Sequence, residues 1–135
     1  MRADLDGFVN FLGWREDVPT LMSRASLHCC PSRPEQREAF GNVVLEAKVS
    51  GLPSVVLPSG DLPDLVDHRR TGWICETVDA EALAEGLEFF LSRPDESVRA
   101  GLPANASAGQ YSEERFAAAW SRVFCPDTKE QTDAD

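Results

Sequence analysis

Short apolar runs alternate along this chain with stretches in which apolar positions recur every three or four residues. The runs predict strands at residues 8–12, 26–30, 54–57 and 73–75. The recurrences predict helices. One follows Asp17, which stands as its cap, and places Val18, Leu21, Met22 and Ala25 inward. A second covers residues 40–50 and stops at Gly51, with Pro53 just beyond. A third is capped by Asp79, carries Leu83, Ala84, Leu87, Phe90 and Leu91 on one stripe, and ends before Pro94. A last one follows Ser112 with the stripe Phe116, Ala119, Trp120, Val123 and Phe124. Between them, residues 96–109 predict only a weak helix, since Gly101 and Pro103 both oppose a straight one. Residues 61–66 read as a short helix or turn, 67–72 as a polar turn, and 125–135 as a polar tail without order.

Strands and helices in alternation, joined by short loops, predict the α/β class with a parallel sheet. Ligands in such sheets bind beyond the carboxyl ends of the strands. Gly13-Trp14, Pro31-Ser32 and Pro58-Ser59-Gly60 each follow a predicted strand, so one rim should carry them together with the loop before residue 40.

Composition narrows the partners. The 135 residues suit one domain with a real core, and the net charge of −10 opposes nucleic acid or an anionic membrane as partner. No apolar run approaches the ~20 residues that span a bilayer, and the opening MRADLDG has no signal-like apolar region. The four cysteines, Cys29, Cys30, Cys75 and Cys125, show no zinc spacing, and His28 beside two of them reads as core packing. No metal site is expected, and the thiols are those of a reduced, cytoplasmic protein.

The candidate chemistry lies between the second and third predicted strands. Glu38 and Glu46 stand eight positions apart, the first in the loop before a helix and the second about one turn inside it. Phe40-Gly41-Asn42-Val43, between them, sets backbone N–H groups at a helix N-terminus, a ready anion site. The flanks Val43, Val44, Ala47 and Val49 turn Glu46 toward a cleft.

Pro31-Ser32, Glu38-Ala39-Phe40-Gly41, Leu45-Glu46-Ala47 and Gly51-Leu52-Pro53 resemble the Glu-x7-Glu signature of the GT-B glycosyltransferases, specifically glycosyltransferase family 4 (group 1). Residues 9–14, 57–66 and 71–73 extend the likeness, which covers about residues 8–124. The resemblance implies a Rossmann-like parallel sheet flanked by helices, the C-terminal part of a GT-B domain, followed by C-terminal helices. It implies that the chain is the donor-binding part of a retaining transferase that moves a sugar from a nucleotide-sugar to a saccharide or lipid-linked acceptor, of the kind that builds polysaccharides. Glu46 would then accept both ribose hydroxyls, and Glu38 would act at the transferred sugar. Phe40 and the amides of Gly41, Asn42 and Val43 would meet the sugar and diphosphate, with Gly41 letting the backbone approach the ligand. Ser32, Ser59, Gly60, Gly13 and Arg15 would complete the site. The nucleotide-sugar is a substrate, and no cofactor is expected.

This chain departs from the pattern at Asp61, where the family usually has a second glycine. It also lacks the family's acceptor domain and the arginine–lysine pair that holds the diphosphate, so the sequence reads as part of an enzyme, inactive by itself. The strand at 8–12 must then pair directly with that at 26–30 or with a second molecule across an exposed sheet edge. The alternatives are an inactive nucleotide-sugar-binding remnant or subunit, a nucleotide-sugar 2-epimerase of the same fold, and a scaffold domain of flavodoxin type.

Overall fold

Three short parallel strands carry the fold. In the computed structural model, which describes residues 7–36 and 40–124, the sheet order is β1 (His28–Cys30), β2 (Ser54–Val56), β3 (Gly72–Ile74). The register sets Cys29 beside Val55 and Val55 beside Trp73, with Cys30, Val56 and Ile74 in the next row. Successive side chains point to opposite faces, so these two rows feed two separate cores. Cys30, Val56 and Ile74 meet Val44 of helix α2 (Asn42–Val49) and Leu62, Leu65 and Val66 of the turn after β2. Val55, Trp73, Leu57 and Cys75 meet Phe90 of α3 (Ala80–Leu91) and Ala100 of α4 (Pro94–Ala108). A sheet covered on both faces explains why its strands read as unbroken apolar runs.

Helix α1 (Val18–Ser23) adds Met22 to a small cluster with Ala47 and Leu52. Asp17 precedes it without capping it: the carboxylate takes two 2.6 Å bonds from the Arg15 guanidinium instead. That hydrogen-bonded pairing holds the Asp17 carboxyl below the usual range. Asp79 does cap α3, accepting from the Ala82 amide at 2.8 Å.

Besides the Asp17 cap, two expectations are corrected. Residues 8–12 form no strand, and they pair neither with β1 nor with any other described residue of the sheet. Phe8 and Phe11 are 87% and 97% exposed, so the run has sequence propensity but no neighbouring strand to supply ladder hydrogen bonds. Residues 94–108 form one continuous helix through Gly101 and Pro103. Close packing on α2 overrides the local preference: a Cβ on Gly101 would stand 2.1 Å from the Gly51 carbonyl oxygen, so only glycine lets these two segments meet. Asn105 Nδ2 also donates to the Val49 carbonyl at 2.6 Å.

The final helix, α5 (Glu113–Phe124), buries nothing among the described residues. Its stripe stacks on itself, Trp120 lying against Phe124 at 5.1 Å between ring centres. The expected tail, 125–135, and Cys125 lie outside the described residues.

His28 is half-buried on β1. Its Nδ1 lies 3.0 Å from Ser54 Oγ, and burial lowers its pKa from 6.5. The folded state therefore favours the neutral ring, and the unfolded chain binds more protons on acidification. This contribution is present above pH 6.5 and is lost as pH falls below it. Melting temperature is expected to drop between pH 7.5 and 5 by more in the parent than in His28→Asn. Parallel pH profiles for the two would contradict this.

Candidate functional site

The α2 N-terminus is shaped by Gly41. At φ 73° and ψ 52° it occupies the left-handed region, where glycine alone rests without strain. A Cβ there would also collide with Leu62 Cδ2. The clearance this glycine provides among the described residues is toward the core, at Leu62 and Leu65. The turn that carries Ser59 and Gly60 continues into the 3-10 segment Leu62–Leu65, which is the surface Gly41 abuts. The segment after β2 and the start of α2 therefore pack closely.

The helix begins at Asn42 rather than at residue 40. The Val44 amide bonds the Gly41 carbonyl at 2.9 Å. The amides of Asn42 and Val43 have no hydrogen-bond partner among the described residues, as the first turn of a helix dictates. Asn42 and Glu46 lie one helical turn apart on the outer side of α2. They line one groove of about 340 Å³ with Pro19 and Met22 of α1 and with Leu45, Val49 and Ser50. Glu46 therefore faces a cleft, as its apolar flanks predict, and its carboxylate has no partner among the described residues.

Ser59 is buried, and its Oγ is a buried side-chain oxygen without a hydrogen-bond partner among the described residues. Gly60, next to it, is exposed at φ 52°. Ser32, half-buried after β1, has its Oγ 3.5 Å from Cys30 Sγ. Gly13 and Arg15 are not brought to the Glu46 groove. They sit in an exposed loop, where Trp14, Arg15, Glu16 and Asp17 line a separate hollow and Arg15 is occupied by Asp17. Without a strand at 8–12, nothing aims this loop at the rim. Glu38, the expected catalytic carboxylate, lies outside the described residues. Among the described residues, neither lysine nor arginine lines the Glu46 groove.

The groove's second wall, Pro19 and Met22, is not marked in the sequence, because the periodicity of α1 points only to a core face. Nor is Lys48, only 4% exposed although charged, or Tyr111, whose ring takes Phe40 edge-on. Desolvation lowers the Lys48 pKa. Lysine is an ordinary helix-surface residue, and nothing in the local sequence shows this one as covered.

The three-stranded parallel sheet with helices on both faces is an α/β fold, and solved structures that superpose on it are GT-B glycosyltransferases. Residues 1–93 match the family of glycosyl transferases group 1, and the chain belongs to that family. A glycosyltransferase of Haemophilus influenzae is 28% identical over 90% of this chain and 34% of its own length. The N-acetyl-alpha-D-glucosaminyl L-malate synthase of Bacillus anthracis is 30% identical over 79% of this chain and 27% of its own length. The chain thus spans about a third or less of these curated relatives. The Anabaena protein HepE superposes with a TM-score of 0.76 at 28% identity, over 87% of this chain and 33% of its own. Its crystal structures hold UDP, UDP with glucose, or UDP-glucose. Among the described residues no helix is long and apolar enough to cross a membrane, and none of their side chains cluster as a metal site.

Proposed function

We propose that this chain forms the donor-binding part of a retaining, nucleotide-sugar-dependent glycosyltransferase. The observation that carries the reading is the groove lined by Glu46 and Asn42 at the α2 N-terminus, whose first amides have no partner among the described residues. A two-oxygen acceptor without a partner suits the vicinal hydroxyls of a ribose, and bonds to an ionised acceptor are the stronger kind. The amides of Asn42 and Val43 suit a diphosphate at the positive end of the helix. In the transfer itself, the bond between the anomeric carbon and the diphosphate oxygen breaks, and the nucleoside diphosphate leaves with the electron pair. The acceptor hydroxyl forms the new bond on the same face and passes its proton to the departing diphosphate oxygen. Glu38 is the carboxylate proposed to stabilise the positive charge at the anomeric carbon. UDP, seen in the Anabaena relative, is the first ligand to try. Calorimetric titration with UDP, ADP and GDP tests the reading, and no binding of any of them overturns it.

Among the described residues the same groove carries no cation to meet the leaving diphosphate. Fixing donor and acceptor together is worth up to about 7–11 kcal/mol in favourable systems, and a groove for the donor alone does not supply it. The 135-residue chain by itself is therefore expected to bind nucleotide weakly and to give no turnover. The check is release of nucleoside diphosphate from a panel of nucleotide-sugars with mixed acceptors. Acceptor-dependent release that disappears in Glu38→Ala would contradict the expectation and make this chain an enzyme unaided.

A further inference from the structure

Tyr111 lies far from the donor segment in sequence, in the 3-10 turn Gly109–Tyr111 between α4 and α5. The fold nevertheless brings its ring to both ends of α2. Phe40, the residue before the Gly41 cap, meets Tyr111 at 5.8 Å between ring centres and 75° between ring planes. The ammonium of Lys48, in the last turn of α2, stands 5.8 Å from the centre of the same ring. Tyr111 itself packs on the core that holds Val44, Leu62 and Leu65.

We propose that Tyr111 is a positioning residue for the donor site: it fixes Phe40, and thereby the Gly41 turn that aims the Asn42 and Val43 amides. The inference rests on the donor reading above. Phe40 is 40% exposed, so burial alone does not hold it. Glycine at 41 has the widest backbone freedom of any residue, and a loop ordered before binding spares that cost at the moment of binding. An edge-to-face aromatic contact holds the first residue of the turn in one orientation. The cation over the ring ties the same tyrosine to the far end of the helix. Both contacts use the ring and neither uses the hydroxyl.

The test compares Tyr111→Phe, Tyr111→Leu and Tyr111→Ala with the parent 135-residue chain. Tyr111→Phe is expected to match the parent throughout. Tyr111→Leu keeps apolar volume on the core but has no ring, and it is expected to retain nearly the parent melting temperature. Its affinity for UDP is expected to fall by about tenfold, the equivalent of 1.4 kcal/mol. Amide ¹⁵N relaxation without nucleotide is expected to show Gly41 and Asn42 loosening in Tyr111→Leu and Tyr111→Ala, toward order parameters of about 0.6. Unchanged relaxation there, or equal UDP affinity in the parent and Tyr111→Leu, overturns the positioning role alone. Failure of the parent to bind UDP at all overturns the donor reading and takes this inference with it.

Discussion

Glu46→Gln is expected to weaken UDP binding by about 1.5–3 kcal/mol, the usual scale for a hydrogen bond to a charged group. Glutamine keeps the size of the side chain and one acceptor oxygen, so the groove between α1 and α2 stays filled while the charge is lost. The variant should melt with the parent, because the Glu46 carboxylate is exposed and makes no ion pair among the described residues. Calorimetric titration of the two chains gives the difference, and thermal melts give the control. An unchanged affinity would remove Glu46 from the ribose.

The largest effect on stability is expected from Gly101→Ala. The added methyl would stand 2.1 Å from the Gly51 oxygen and 3.2 Å from its carbonyl carbon, both backbone atoms that cannot rotate away. Helix α4 must then move off α2, and overpacking of this kind costs about 1–3 kcal/mol or more. Alanine returns up to about 1 kcal/mol of helix propensity, which is too little to reverse the sign. A net loss of about 2 kcal/mol should lower the melting temperature by several degrees. Gly109 provides the control: it has nothing within 4 Å of a Cβ and a φ of −60°. Gly109→Ala should be neutral or stabilise by up to about 1 kcal/mol. If both variants melted alike, the α2–α4 contact would not be the constraint described.

What the sequence discloses depends on whether a residue's partners are near it along the chain. The Asp79 cap of α3 is local and takes the form that the sequence predicts. The α3 stripe does so only in part: Leu83, Leu87 and Phe90 face the core, but Ala84 and Leu91 are exposed and Ala82 and Phe89 pack inward instead. The proposed donor segment is likewise contiguous, so the order of its residues alone points to the helix and to Glu46 facing a groove. The run at residues 8–12 departs from its expected strand because a strand needs a neighbour, and apolar character says nothing about whether one exists. Helix α4 departs in the opposite direction. Gly101 and Pro103 oppose a helix locally, yet the glycine is what lets α4 reach Gly51. Asp17 carries a sound capping signal that loses to a two-bond pairing with Arg15. Tyr111 gives no local sign of a part in the site, because only the fold brings it to Phe40 and Lys48 from a distant stretch of the chain.

The central claim places a nucleoside diphosphate at the α2 N-terminus, and amide chemical-shift mapping of the ¹⁵N-labelled chain during titration with UDP tests it most directly. The expected result is a set of shifts centred on Phe40, Gly41, Asn42, Val43 and Glu46, extending to Ser59 and Gly60 and much reduced in the same titration of Glu46→Gln at equal UDP. Shifts centred instead on the groove where Arg69 and Arg93 stack against Phe89, with α2 silent, would contradict it.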